Sequence, residues 1–302
     1  MNTTPRDLPL PFGVPLPFDE LVPFDDAVRS LWRYPGGEVG VRALRQPAPA
    51  RLLARVHGSD DLLALLMFLG AVRGQVQHVC IPYLPYARQD RVAVAGDPIA
   101  IDVLAELLVT TGVRSFATVD AHSPASVAAF AKLGAQLTNV PAMPWLDRYL
   151  APLRTRTDQP VWFVAPDKGA RTRTAAAAAA LSRSDRPIGV VQCEKVRDPG
   201  SGKLQGFRVA DDGPHALGSD PLVVVVDDIC DGGGTFLGVA QALRTNFGPV
   251  PLHLWTSHGI HSKGLDELAG QFATIGCTDS FRSGRTHPAL RLVPLQTSEI
   301  RA

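Results

Sequence analysis

Short runs of β-branched and other apolar residues recur along this chain. Each is followed by a polar loop, and most then lead into a stretch whose apolar positions return at helical spacing. The pattern predicts strands over 39–44, 51–57, 76–82, 114–119, 161–164, 188–193, 223–226, 252–255 and 272–277. It predicts helices over 62–73, 99–111, 126–133 and 236–244, and another through the alanine run 175–180. Asp60 and Asp61 are candidate caps for the first helix, and Pro98 suits the first turn of the second. Strand, polar loop and helix repeat through two halves, with residues 134–147 as the crossing between them. The expectation is an α/β protein of two domains, 1–143 and 144–302, each with a mostly parallel sheet flanked by helices.

The most informative stretch runs from Val223 to Thr235. Four valines lead into Asp227 and Asp228, then Ile229, Cys230, Asp231, three glycines (Gly232, Gly233, Gly234) and Thr235. A buried strand, a glycine-rich turn and a helix make a phosphate cradle, because the first amides of a helix lack intrahelical acceptors. Carboxylates beside such a cradle suit sugar hydroxyls or a magnesium ion. In open α/β sheets ligands bind beyond the carboxyl ends of the strands.

Other strand ends carry chemistry too. The loop Tyr83 to Arg91 combines two tyrosines, two arginines and a glutamine, which offers aromatic faces and charged donors to a nucleotide and its phosphates. Asp120 and His122 sit two apart after a strand, where both can face a cleft, although an isolated histidine is more often structural. Lys195 and Arg197 alternate onto one side of an extended segment, ahead of the Pro/Gly/Ser loop Asp198 to Lys203. Two cations on a flap suit closure over polyphosphate, and a basic solvated hairpin is the plainer alternative.

Composition narrows the class. Net charge is +1 over 302 residues, which gives no footprint for nucleic acid or a membrane surface. No apolar run is long enough to span a bilayer, and the start of the chain lacks the basic and apolar regions of a signal peptide. Four dispersed cysteines read as buried free thiols of a cytoplasmic protein. Residues 1–28, rich in Pro, Phe and Asp, read as a surface segment pinned by its phenylalanines.

Taken together, these loops resemble the ribose-phosphate pyrophosphokinases, from about Arg33 to Ser280. Tyr86-Ala87-Arg88-Gln89-Asp90-Arg91 is similar to that family's ATP loop, and Asp227 to Thr235 to its phosphoribosyl-binding loop. Thr118 to His122 and Pro166-Asp167-Lys168-Gly169 resemble its two magnesium-associated strand ends. The resemblance implies two type I phosphoribosyltransferase-like domains with the active site between them. It implies Lys195 and Arg197 as catalytic residues, and Arg88 and Gln89 as ATP ligands. Tyr34 and Glu38 would reach the adenine bound to a neighbouring subunit, which makes a homo-oligomer, a dimer or hexamer, the expected state. Asp227, Asp228, Asp231, Gly232, Gly233, Gly234 and Thr235 would hold the ribose phosphate, and His122 and Asp167 would help place Mg²⁺. The implied reaction moves the β,γ-diphosphate of ATP onto the 1-hydroxyl of ribose 5-phosphate, releasing AMP.

The chain also departs from the family pattern. Gly232 stands where the loop usually has threonine, which removes a hydroxyl donor and opens space beside the phosphate. Basic residues usual after Arg91 are replaced by Val92 to Asp97, and an acid is lost at Gly36. This form of the loop resembles a branch found in NAD-salvage settings, where ADP-ribose is an alternative acceptor. A catalytically silent subunit partnering a true synthetase is a third reading. Retention of His122, Lys195, Arg197 and the acids of the loop argues against it.

Overall fold

The computed structural model describes residues 21–44, 47–198, 200–201, 203–210 and 213–295. Most of the N-terminal segment read as a pinned surface element therefore lies outside the described residues, as do Pro199 and Gly202 of the loop after Arg197. Two compact units divide between Pro141 and Ala142, with Leu295 counted in the first.

The first unit begins with β1 (Val22–Pro23), α1 (Phe24–Ala27) and the hairpin strands β2 (Val28–Arg33) and β3 (Val39–Ala43). It continues with β4 (Arg51–Leu53), α2 (Ser59–Ala71), β5 (His78–Cys80), α3 (Ala100–Thr110), β6 (Ser115–Val119), α4 (Ala125–Lys132) and β7 (Gln136–Val140). Its sheet has the order β1-β4-β5-β6-β7, and every pairing is parallel. The core packs the apolar faces of α2, α3 and α4 on this sheet through Leu65, Phe68, Leu104, Leu108, Phe116 and Phe130. Asp60 and Asp61 lie in the first turn of α2 rather than at its cap, which is Gly58. Asp61 still secures the helix entry, accepting from the His57 backbone N–H at 2.8 Å. Pro98 precedes the Ile99 cap of α3. Inside the stretch expected only to cross between halves lies β7, at the sheet edge, where Thr138 and Asn139 separate the buried Leu137 and Val140.

The second unit comprises α5 (Met143–Leu150), β8 (Val161–Ala165), α6 (Arg171–Leu181), β9 (Ile188–Arg197), β10 (Leu204–Val209) and β11 (Leu222–Cys230). It ends with α7 (Gly234–Phe247), β12 (Leu252–Gly259), α8 (Asp266–Ala269), β13 (Thr274–Thr278) and β14 (Leu290–Val293). Its sheet order is β10-β9-β8-β11-β12-β13-β14, parallel except for the antiparallel β9–β10 hairpin. The chain therefore builds outward from β8 in one direction, returns, and builds outward from β11 in the other. Such a switch point opens a crevice at the carboxyl ends of the two central strands. Register deepens it: pairing of β11 with β8 ends at Val225↔Val164, while pairing with β12 continues to Cys230↔Gly259. Asp227 and Asp228 thus project from a strand that has outrun one neighbour. The four valines before them are fully buried, as a parallel strand covered on both faces requires.

All four cysteines are free and buried, as their apolar settings predict. Burial pushes the thiols of Cys193, Cys230 and Cys277 up to about 12, so they are not thiolates at neutral pH. No helix among the described residues is long and apolar enough to cross a membrane.

Packing around β13 leaves no room beside Gly276, where an added Cβ would come within 2.5 Å of the Tyr149 ring. Gly276→Ala is expected to cost about 1–3 kcal/mol by overpacking, read by denaturant unfolding. An unchanged midpoint would mean that Tyr149 yields freely.

Candidate active site

The second unit's switch point collects most of the chemistry predicted for it. Asp167 follows β8, and its carboxylate caps the next turn by accepting from the backbone N–H of Gly169 at 2.9 Å and Ala170 at 3.2 Å. Lys195, carried on the exposed end of β9, donates to Asp167 at 2.5 Å. Burial alone would push the Asp167 carboxyl up. The Lys195 hydrogen bond and charge, with the two amides, outweigh it and hold the group below its ordinary value. Lys195 and Arg197 share the exposed face of β9, as their alternation predicts. The hairpin continues through β10, with Phe207 opposite Lys195 and Arg208 opposite Glu194. Glu194 ties the hairpin down by pairing with Arg208 at 2.8 Å and Lys168 at 3.4 Å. Gly238 of α7 is required here, because a Cβ would meet the Phe207 ring at 2.3 Å.

At the end of β11, Asp228 is buried and Asp227 partly so. Asp227 Oδ1 accepts from the Asp228 backbone N–H at 2.9 Å. Burial, then the charge of Asp228, pushes the Asp227 carboxyl well above its ordinary value. Arg173 opposes this from α6, lying 3.6 Å from Asp227 and 3.5 Å from Asp228. Sequence reading passed over Arg173. Its signal was present in the two arginines, Arg171 and Arg173, that open a small-residue helix, where alanines allow that helix to approach the sheet. Gly233 then takes a left-handed conformation (φ +79) and caps α7. A Cβ on Gly234 would meet nothing within 4 Å, so the loop opens to solvent above the first amides of the helix. Thr235 is half-buried in that first turn, and the Asp231 carboxylate accepts from the Ser262 hydroxyl at 2.6 Å.

The first unit holds the remaining candidates at three places. Tyr34 and Glu38 close the β2–β3 hairpin, with the Tyr34 N–H donating to the Glu38 carbonyl at 2.8 Å. Tyr34 is half exposed and stacks edge-on with Trp32 at 5.8 Å between ring centroids. Arg88 and Gln89 are exposed on the loop after β5, between the buried anchors Leu84 and Ala87 and the start of α3. Tyr86 holds φ +62 in that loop, a strained value for a bulky residue and the sort of outlier that gathers at ligand sites. His122 is exposed after β6, beyond Asp120, which also has positive φ (+43). The Asp120 N–H donates to the Val140 carbonyl at 2.8 Å, which fixes the turn.

Among the described residues no group of three or more His, Cys, Asp or Glu side chains gathers as a metal cage. The donor set still fits magnesium, a hard cation that takes one or two carboxylates and completes its shell with water and substrate phosphate.

Comparison with known proteins assigns the family. Residues 52–112 match the N-terminal domain of ribose phosphate pyrophosphokinase, and residues 146–277 match the phosphoribosyl transferase domain. A ribose-phosphate pyrophosphokinase of Mycoplasmopsis pulmonis is 28% identical over 246 residues, covering 78% of this chain and 71% of that protein. Ribose-phosphate pyrophosphokinase 2 of Archaeoglobus fulgidus is 30% identical over 221 residues, covering 72% and 69%. The chain belongs to the ribose-phosphate pyrophosphokinase family. Members of this family are diphosphotransferases. The crystal structure of phosphoribosylpyrophosphate synthetase from Mycobacterium smegmatis shares the fold, with a TM-score of 0.70 and 21% identity over 88% of this chain and 85% of that one.

The raised Asp227 group has a measurable consequence. Folded protein retains a proton there at pH values where the unfolded chain has released it, so this group's stability contribution falls as pH rises above about 4. Asp227→Asn is expected to raise Tm by about 3–6 °C at pH 8 and to change it little at pH 4. A lower Tm at pH 8 would mean that Arg173 already neutralises the pair.

Proposed function

We propose that this protein transfers the β,γ-diphosphate of ATP to the 1-hydroxyl of ribose 5-phosphate, giving phosphoribosyl pyrophosphate and AMP. The supporting observation is that the β8–β11 switch point presents a glycine-rich phosphate loop and an acid pair, with Lys195 bonded to Asp167 from the adjoining hairpin. Asp227 and Asp228 accept from the sugar hydroxyls and fix the ring. The first amides of α7, with Thr235, hold the 5-phosphate. The 1-hydroxyl oxygen bonds to the β-phosphorus of ATP, and the bond from that phosphorus to the α,β-bridging oxygen breaks. AMP keeps the bridging oxygen, and the hydroxyl proton is released to solvent. Little covalent chemistry falls to the protein, so rate comes from positioning and charge neutralisation.

Lys195 exchanges its Asp167 partner for the transferring phosphoryl oxygens, and Arg197 on the same face meets the leaving AMP. Arg88 and Gln89 bind ATP phosphate and base, and Tyr34 and Glu38 complete the adenine site in a homo-oligomer. Asp167 in the second unit and His122 in the first are the residues that would hold magnesium, and the ion would supply charge neutralisation on the polyphosphate.

Lys195→Ala is expected to lower turnover at least about a hundredfold with the fold intact, and turnover near that of the parent would remove Lys195 from this role. The reaction itself is tested by supplying MgATP with ribose 5-phosphate or ADP-ribose and counting AMP released. Preference for ribose 5-phosphate is expected. Preference for ADP-ribose would move the acceptor to the larger sugar, and AMP from neither would favour a silent subunit.

A further inference from the structure

We infer that Lys263 is a phosphate ligand of the acceptor site, supplying a cation at Gly232, a position that has no side-chain donor of its own. The inference rests on the acceptor reading of the β11–α7 loop and adds a specificity-determining residue to it. Lys263 lies outside that loop in sequence, but the structure hangs it directly against it. The Cys230 carbonyl accepts from the backbone N–H of Ile260 at 2.9 Å and of His261 at 3.0 Å. The Asp231 carbonyl accepts from the Ser262 N–H at 3.1 Å, and the Asp231 carboxylate accepts from the Ser262 hydroxyl. His261 is buried in a left-handed conformation (φ +51), and its carbonyl accepts from the Gly264 N–H at 2.9 Å. Lys263 therefore sits within a tight turn whose backbone is bound to the phosphate loop on both sides of residue 231.

Its side chain crosses Gly232. A Cβ built there would lie 3.5 Å from Lys263 Cε, 3.6 Å from Cδ and 3.8 Å from Cγ. The aliphatic stem packs on the glycine, and a lysine that lays its stem on a surface keeps its ammonium in water. Lys263 is exposed, and among the described residues no carboxylate pairs with it. Arg285 lies on the other side of the same turn, with its guanidinium donating to the Ser262 carbonyl at 3.1 Å. A cation laid against a phosphate loop favours an anion there. Lys263, whose stem crosses the loop, is the one fixed at Gly232. A neutral hydroxyl at position 232 would give one short-range donor. A lysine gives a charge-assisted bond and can follow a phosphate that sits higher in the loop.

The test is calorimetric binding of ribose 5-phosphate, and separately of ADP-ribose, without ATP, to the full chain and to Lys263→Ala and Lys263→Arg. The Ala variant is expected to weaken whichever sugar phosphate binds by about tenfold or more, with an unchanged melting temperature. The Arg variant is expected to remain within about threefold, because it keeps the charge. With turnover as the readout, the Ala variant raises the acceptor KM and leaves the ATP KM unchanged. Equal affinity of the Ala variant and the parent overturns the inference, and so does a parent that binds neither sugar. A parent that binds a sugar phosphate through Lys263 but releases no AMP overturns the proposed reaction and leaves this ligand standing.

Discussion

Two carboxylates side by side at the end of a buried strand repel each other and lose solvation, and the second unit is arranged around that constraint. Asp227 and Asp228 project where β11 has outrun β8. Arg173 approaches both at ion-pair distance, which lowers the repulsion between them. The glycines that follow turn the chain so that α7 begins immediately beyond them, and its free amides offer a second place for negative charge. Burial and the neighbouring charge still leave the Asp227 group raised.

Lys195 obeys the same logic. In the free protein its charge is satisfied by Asp167, which is itself held by two backbone amides. That storage position keeps the lysine near the switch point without leaving an unpaired cation on a hairpin. The hairpin is anchored where Phe207 covers Gly238 and where Glu194 takes Lys168 and Arg208. Its two exposed cations are therefore presented from a braced strand.

Much of this was legible in the chain because parallel strands buried on both faces read as continuous apolar runs. Val223 to Val226, Val161 to Val164 and Ile188 to Cys193 all appear as expected, and their polar loops mark the carboxyl ends. Edge elements were harder. In β7, Thr138 and Asn139 interrupt the apolar pattern at the margin of the sheet, and β14 leaves its Arg291 and Leu292 exposed. Helix α5 is short and has a proline in its first turn, and tertiary packing of Trp145, Leu146 and Tyr149 holds it in place. The candidate site divides the same way. Residues inside one motif, such as Asp227 to Thr235, were visible together. Arg173, Ser262 and Lys263 reach that motif only through the fold, from a helix and a loop with no signature of their own.

The central claim is that a diphosphate moves as one unit from ATP to a sugar hydroxyl, and ATP labelled at its β-phosphorus tests it directly. Diphosphate transfer predicts that the label leaves with the sugar while unlabelled AMP accumulates in equal amount. Label retained in ADP would identify a simple phosphoryl transfer, and label appearing as free pyrophosphate would identify hydrolysis. Either result would contradict the assignment of Asp227, Asp228 and the loop after them as the acceptor half of the reaction.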